Sequence, residues 1–287
     1  MKMFLLLSFL LTTQAFAGWS ISHYNIRNFN KDPDAGPTNI AQLSKNIRAA
    51  KSDVMSFNEV VNVPAFEQLL KIALPGYFIA VSSCGGFGQQ KIAIAFNPKV
   101  FKFISYAEDL TFSSGGTTCG DLRPGLFLNL QHLSNGKMYT FAGFHLKAGG
   151  EEAAMRKRWT QYKLLAQLAQ KYASKNLVIM GDLNTTGYNI KDADYDQFQS
   201  FLSVSKFATA SQNLACTSYW EGTLGNGLHQ SSILDHIVLK NDMAREVANV
   251  SVGAHCAKLD CRDATPADLG IDYASVSDHC PIQVTFK

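Results

Sequence analysis

Apolar residues along this chain fall into short runs separated by polar turns, and these runs alternate with stretches of helical spacing. Residues 21–26 predict a strand. Ile40, Leu43, Ile47 and Ala50 recur at intervals of three and four after Pro37-Thr38, which predicts a helix with one buried face. Residues 54–57 predict a buried strand, and Pro64 suits the first turn of the helix carrying Phe66, Leu69 and Leu70, where its missing N–H has no intrahelical partner. Strand runs follow at 77–81, 91–96, 101–106, 126–130 and 138–145. Several adjoin without a helix between them, so part of the sheet must be antiparallel. The longest helix is predicted over 151–172, with Met155, Trp159, Tyr162, Ala166 and Ala169 as its apolar stripe. Glu151 and Glu152 begin it, where the helix dipole favours negative charge. Residues 177–180, 233–239 and 282–286 complete the strands. Strands interleaved with helices and hairpins predict stacked mixed sheets flanked by helices.

No repeat, charge block or low-complexity linker divides the chain, so one domain is expected over residues 18–287. Residues 1–17 read as a signal peptide. Lys2 gives a positive start, residues 4–11 are an apolar run broken only by Ser8, and Ala15-Phe16-Ala17 forms a small-x-small cleavage site before Gly18. The run is far below the roughly 18 residues needed to span a bilayer. A secreted or periplasmic product without a membrane anchor is expected, acting as a monomer with no protein partner. Charged residues at 17% and hydrophobic ones at 46% exclude a disordered or collagen-like chain. A net charge of +3 is too small to hold a polyanion by bulk charge. The cysteines are Cys84, Cys119, Cys216, Cys256, Cys261 and Cys280, an even set that suggests disulfides in an exported chain. Cys84 and Cys119, both in Gly-rich loops flanking strands, are expected to pair. Cys256 and Cys261, five apart in one loop, form the second expected pair, which leaves Cys216 with Cys280.

The chemistry gathers at strand ends. Residues 21–24 lead into Asn25, 54–57 into Asn58-Glu59, 139–144 into His145, and 177–180 into Gly181-Asp182-Leu183-Asn184. Asp235-His236 lies inside a strand, and Val276-Ser277 leads into Asp278-His279-Cys280-Pro281. Apolar strands that deliver polar groups at their ends build a rigid site. Hard divalent cations take oxygen ligands, which Glu59, Asp182, Asn184, Asp278 and Asn25 can supply, while His145 and His279 can handle protons or developing phosphate charge.

The ordered set of segments His23-Tyr24-Asn25, Phe57-Asn58-Glu59, Arg123-Pro124, Phe144-His145-Leu146-Lys147, Gly181-Asp182-Leu183-Asn184, Leu234-Asp235-His236 and Ser277-Asp278-His279-Cys280-Pro281 resembles the endonuclease/exonuclease/phosphatase superfamily, the deoxyribonuclease I-like fold. The resemblance implies a four-layer α/β sandwich, two mixed sheets packed face to face and flanked by helices. It implies metal-dependent cleavage of a phosphoester, with Mg²⁺ as cofactor and Mn²⁺ or Ca²⁺ as substitutes. By matching position, Glu59 is the principal metal ligand, with Asn25 and Asp278 near the metal. Asp182 and Asn184 orient the attacking water. His279 contacts the scissile phosphate, and Asp235 pairs with it and fixes its tautomer. His145 takes the place of a second phosphate-facing or acid group, and Arg123, Lys147 and Asn25 are phosphate contacts.

The sequence departs from that pattern in three places. Asn58 stands where the family has Gln, Val60-Val61 where deoxyribonuclease I has a minor-groove arginine, and Gln90 where a carboxylate orients the first histidine. The leading expectation is an endonuclease acting on DNA, with RNA as the other strand chemistry. A sphingomyelinase-type lipid phosphodiesterase shares the fold and would need an exposed apolar loop; the Phe87 loop, residues 83–89, is short and polar for that. A non-catalytic binding or toxin subunit is the third reading. Arg156, Lys157, Arg158 and Lys163 read equally as a phosphate rim beside Lys147 or as a solvated helix face. Tyr188, Tyr195 and Trp220 are candidate stacking aromatics, with core packing the stronger reading for Trp220. The acceptor patterns Asn184-Thr185-Thr186 and Asn249-Val250-Ser251 are read as chance matches to glycosylation sites.

Overall fold

The computed structural model describes residues 18–31, 36–114, 116, 118–172, 176–222 and 225–287. The expected signal peptide, 1–17, lies outside the described residues. In chain order the strands are β1 (Ser20–Asn25), β2 (Val54–Val60), β3 (Phe78–Val81), β4 (Lys91–Phe96), β5 (Phe101–Asp109), β6 (Gly125–His132), β7 (Met138–His145), β8 (Asn176–Asp182), β9 (Phe207–Thr209), β10 (Ser218–Trp220), β11 (Gln230–Ser232), β12 (Asp235–Lys240), β13 (Val247–Val252) and β14 (Ile282–Phe286). The α-helices are α1 (Ile40–Ala49), α2 (Val63–Ala73), α3 (Glu152–Lys171), α4 (Ala193–Ser205), α5 (Asn241–Ala244), α6 (Ala254–Leu259) and α7 (Pro266–Ser275).

Two six-stranded mixed sheets form the centre, in the orders β13-β14-β1-β2-β4-β3 and β5-β6-β7-β8-β12-β9. Each has one parallel pair at its middle, β1 with β2 and β7 with β8, and its other pairings are antiparallel. The sheets pack face to face through Ile21, Val54 and Ile94 on one side and Leu128, Phe141, Met180 and Ile237 on the other. Outside the first sheet, α1 and α2 bury Leu43, Ile47, Phe66 and Leu69 against Met55 and Phe57. Outside the second, α3 and α4 bury Tyr162, Leu165, Phe198 and Phe201 against Leu177 and Ile179. The result is the expected four-layer sandwich with mixed strand directions. No helix among the described residues is long and apolar enough to cross a membrane.

Local signals explain the helix ends. Asn39 caps α1 by accepting from Gln42 N at 3.0 Å, and Asn62 caps α2 with Pro64 in its first turn. The buried face of α3 differs from the apolar stripe expected. It is Ala154, Arg158, Gln161, Tyr162, Leu165, Leu168 and Ala169, with Trp159 and Ala166 at its margin. The face turns because Arg158 and Gln161 find internal hydrogen-bond partners, which removes the cost of burying them.

Two cysteine pairings differ from expectation. Cys84–Cys119 forms as expected, but the others are Cys216–Cys261 and Cys256–Cys280. Cys256 and Cys261 close a tight turn through their backbone, Cys261 N donating to Cys256 O at 3.1 Å. Cys256 sits on the buried side of α6, against the start of β14, while Asp260 in the left-handed region turns the chain before Cys261. Neighbours along the chain therefore point to different partners. Both cystines belong to a small core with Tyr219 and Leu269.

Candidate active site

The period-two alternation of the central strands turns from apolar to polar toward one end of the sandwich. On β1 the face carrying Ile21 continues to His23 and Asn25. On β8, Val178 and Met180 are followed by Asp182, and on β7, Phe141 is followed by His145. On antiparallel β12 the order reverses, with Ile237 and Leu239 following Asp235. Register aligns these ends: Asn25 pairs with Asn58, His145 with Asp182, and Asp235 with Asp182. Gly181 permits the β7–β8 approach, since a Cβ there would lie 1.9 Å from Phe144 O. The β2–β4 register slips between Phe57 and Val60, and Glu59 takes φ +65°, an uncommon conformation for this residue type. Hydrogen bonds to the Glu59 carbonyl from Phe29 N at 2.9 Å and to Oε2 from Asn28 N at 2.7 Å hold it there.

Asp182 Oδ2 is the hub. Asn25 Nδ2 donates to it at 3.0 Å and to Glu59 Oε1 at 3.0 Å. His145 Nε2 stands 3.6 Å from Asp182 Oδ2 and 3.7 Å from Glu59 Oε1, and His279 Nε2 stands 3.7 Å from Asp182 Oδ2. Asp182 Oδ1 accepts from Asn184 N at 2.9 Å. His279 Nδ1 contacts Asp235 Oδ2 at 2.7 Å. Arg123, nearly buried, donates to Leu146 O at 2.6 Å, and its charge acts on both Glu59 and Asp182. Asp278 is half-buried at the edge of the cluster, and its charge acts on Glu59 and His279.

Burial raises the carboxyl of Glu59, with the charge of Asp278 adding to it, and raises that of Asp182 to about 7. Burial and the Arg123 guanidinium hold His145 well below the ordinary histidine value, so it is neutral. For His279 burial acts downward, but the charges of Asp235, Asp278 and Asp182 outweigh it and keep the imidazolium. Burial would raise Asp235, yet His279 and His23 hold it below the usual carboxylate range. Buried carboxylates reluctant to ionise beside one another are what a divalent cation relieves. Glu59, His145 and Asp182 offer ligand atoms all within 4.8 Å of one another, a donor set that suits such an ion.

Most of the residues singled out by sequence meet here: Asn25, Glu59, His145, Asp182, Asn184, Asp235 and His279, with Arg123 and Asp278 alongside. Lys147 does not join them. Its Nζ turns back to Ala148 O at 2.6 Å on the rim. Gln90, expected opposite His145, donates instead to Asn28 Oδ1 at 2.8 Å, and His145 Nδ1 has no hydrogen-bond partner among the described residues. Arg158 is neither phosphate rim nor solvated face. It is 0% exposed, paired with Asp194 at 3.0 Å, and donates to Lys147 O, Gly149 O and Thr186 Oγ1. It ties together the loops that leave β7 and β8; losing one partner of such a buried pair costs about 3–5 kcal/mol. Tyr188 is buried against Phe198 and His236, while Trp220, expected in the core, is 46% exposed.

Sequence reasoning gave no role to three residues that build the site. His23 Nε2 contacts the second oxygen of Asp235 at 3.0 Å. Asn58 Oδ1 accepts from Asp182 N at 2.8 Å, joining the sheets. Thr217 Oγ1 accepts from Asp235 N at 3.0 Å. The signal for His23 was its place two residues before Asn25, on the same strand face.

Two face-to-face mixed sheets with this polar cluster at one end define a phosphoesterase scaffold of the deoxyribonuclease I type. The chain belongs to the endonuclease/exonuclease/phosphatase family, whose sequence pattern matches residues 22–279. Members are typically metal-dependent phosphoesterases. No curated protein matches the chain at a significant level. Among solved structures, D. rerio TDP2 complexed with a single-strand DNA product superposes with a TM-score of 0.66 at 17% identity, covering 94% of this chain and 99% of that one. The human nocturnin catalytic domain with bound sulfate gives 0.64 at 18% identity, covering 94% of each chain. A mannosyl-6-phosphatase of Bacteroides thetaiotaomicron gives 0.60 at 16%, covering 93% and 98%. At these identities the likeness is one of fold.

Proposed function

We propose that this chain is an exported, metal-dependent nuclease that hydrolyses DNA phosphodiesters by attack of water, with RNA as the alternative strand. The observation that carries the reading is the convergence of Asn25, His145 and His279 on Asp182 Oδ2, at 3.0, 3.6 and 3.7 Å, beside Glu59. Glu59 would hold Mg²⁺ in the space it shares with Asp182 and His145, with Asn25 and Asp278 beside it, and Mn²⁺ or Ca²⁺ would substitute. The bound ion supplies neutralisation of the charge that builds on the non-bridging phosphate oxygens.

The other roles fall to side chains. Asp182 would take a proton from the attacking water as its oxygen bonds phosphorus and the P–O bond to the leaving sugar oxygen breaks, that oxygen being protonated from solvent. The Asn184 backbone N–H fixes the orientation of the carboxylate. The His279 imidazolium, backed by Asp235, presents Nε2–H to the phosphate. Neutral His145 and buried Arg123 flank the opposite side, and Lys147 lies on the rim for the neighbouring phosphate. Three cystines support an oxidising compartment, and the TDP2 structure holding a DNA product supports a nucleic-acid substrate on this fold.

The test is plasmid cleavage with Mg²⁺ and then EDTA, alongside melting temperature with Mn²⁺. EDTA should stop cleavage, and Mn²⁺ should raise the melting temperature of the native protein but not of Glu59→Gln. Cleavage that survives EDTA would overturn the metal assignment. Intact DNA and RNA beside cleaved sphingomyelin vesicles would move the chain to the lipid phosphodiesterases.

A further inference from the structure

Phe87 is 93% exposed, the most exposed of the large apolar side chains described. Its display is built rather than incidental. The loop between β3 and β4 is pinned by Cys84–Cys119, and Phe87 N donates to Asp121 O at 3.0 Å. Gln90 N donates to Gly85 O at 2.8 Å and Gln89 N to Gly86 O at 3.1 Å, closing the turn. Gly86 has φ +66°, and a Cβ there would lie 2.6 Å from Asp121 O, so the two loops touch backbone to backbone. A cross-linked loop presents the ring at low entropic cost to whatever binds it.

The loop is wired to the active site on two sides. Gln90 donates to Asn28, whose backbone N–H donates to Glu59. Asp121, which receives the Phe87 N–H, is two residues from Arg123. Beside the ring runs an open cleft lined by Asn28, Lys31, Val61, Gln89, Gln90 and Lys91. Two lysines and several amides line the same cleft as this one aromatic ring, and Val61 is the only other apolar side chain among these residues. A membrane-seeking surface needs a contiguous apolar patch, which this cleft lacks. An exposed ring that shares an open cleft with two lysines matches a different ligand, an unpaired nucleobase whose adjoining phosphates meet lysines.

We propose that Phe87, with Lys31 and Lys91, forms a stacking subsite for an unpaired base next to the scissile phosphate, so that single-stranded or frayed segments are the preferred substrate. This rests on the nuclease reading above. The test compares a single-stranded 12-mer, the same sequence as a duplex, and the small diester bis(p-nitrophenyl) phosphate, with native protein, Phe87→Ala and Phe87→Trp. Phe87→Ala should raise KM for the single strand, relative to KM for the small diester, by about tenfold to a hundredfold, and should shrink the single-strand preference. In EDTA, the fluorescence of Phe87→Trp over that of the native protein should be quenched when the 12-mer binds. An unchanged KM ratio without quenching overturns the subsite while leaving the nuclease reading intact. Hydrolysis of the small diester with no hydrolysis of any oligonucleotide overturns the nuclease reading and the subsite with it. A Phe87→Ala defect confined to sphingomyelin vesicles overturns the subsite in favour of a membrane contact.

Discussion

Asp235 takes a histidine on each of its carboxylate oxygens, His279 at 2.7 Å and His23 at 3.0 Å, with all three side chains buried or nearly so. The two histidines have different consequences. His279 Nε2 stands 3.7 Å from Asp182 Oδ2, and on the proposed reading His279→Ala or Asp182→Ala should fold normally and lose about 10²–10⁴ in rate, measured as kcat on plasmid DNA. His23 acts through Asp235 as a positioning residue. Removing its bond to a charged acceptor should lower kcat about tenfold to a hundredfold. His23→Gln, which retains a donor, should recover part of what His23→Ala loses; equal defects in the two would show that packing alone is at stake. The residues that meet in the polar cluster were legible in sequence because most of them lie at or next to the end of an apolar strand. The His23–Asp235 contact was not, because its partners lie 212 residues apart and meet only through the packing of the two sheets. Arg158 misled for a related reason: a charge between Lys157 and Trp159 looks solvated until Asp194, 36 residues on, is placed against it.

At the scale of elements, α1 and α7 are clasped by one carboxylate. Asp272 Oδ1 accepts from Gln42 Nε2 at 2.6 Å and from Asn46 Nδ2 at 2.9 Å, while Lys258 binds its other oxygen. Burial acts to raise this carboxyl, but the bonds from Lys258, Asn46 and Gln42 outweigh it and hold the value below 3.8. A depressed folded-state value means the clasp stabilises fully above the ordinary aspartate range and is lost as pH falls through the depressed one. Asp272→Asn should therefore lower the melting temperature at pH 7, and the gap to native protein should narrow on acidification below about pH 4. A gap that stays constant to pH 2 would show that the charge contributes nothing. Helix positions such as 40–49 were plain from spacing; which side chain joins the two helices depended on where α7 returns, which spacing does not encode.

Across the whole molecule, the site lies on the seam between two sheets, one parallel pair from each, and its geometry is inherited from their packing through Ile21, Met180 and Ile237. The layers were readable because the central strands are apolar runs covered on one face by the opposite sheet and on the other by helices, as β2 and β8 are. The cystine partners were not, because they depend on the direction of side chains around one turn. Cys256–Cys280 closes 24 residues and Cys216–Cys261 closes 45, worth about 3–4 kcal/mol each in the chain-entropy account. Their placement says more than their number. Cys280 follows His279 directly, its N–H donates to Thr217 O at 2.8 Å, and the Thr217 hydroxyl accepts from Asp235 N. The Cys256→Ser/Cys280→Ser variant should therefore lose turnover as well as melting temperature, and chain trapped with thiols should be inert until oxidised. On the nuclease reading, such an arrangement would make cutting power a late-acquired trait: while still reduced, the newborn polypeptide would spare the genome that encoded it.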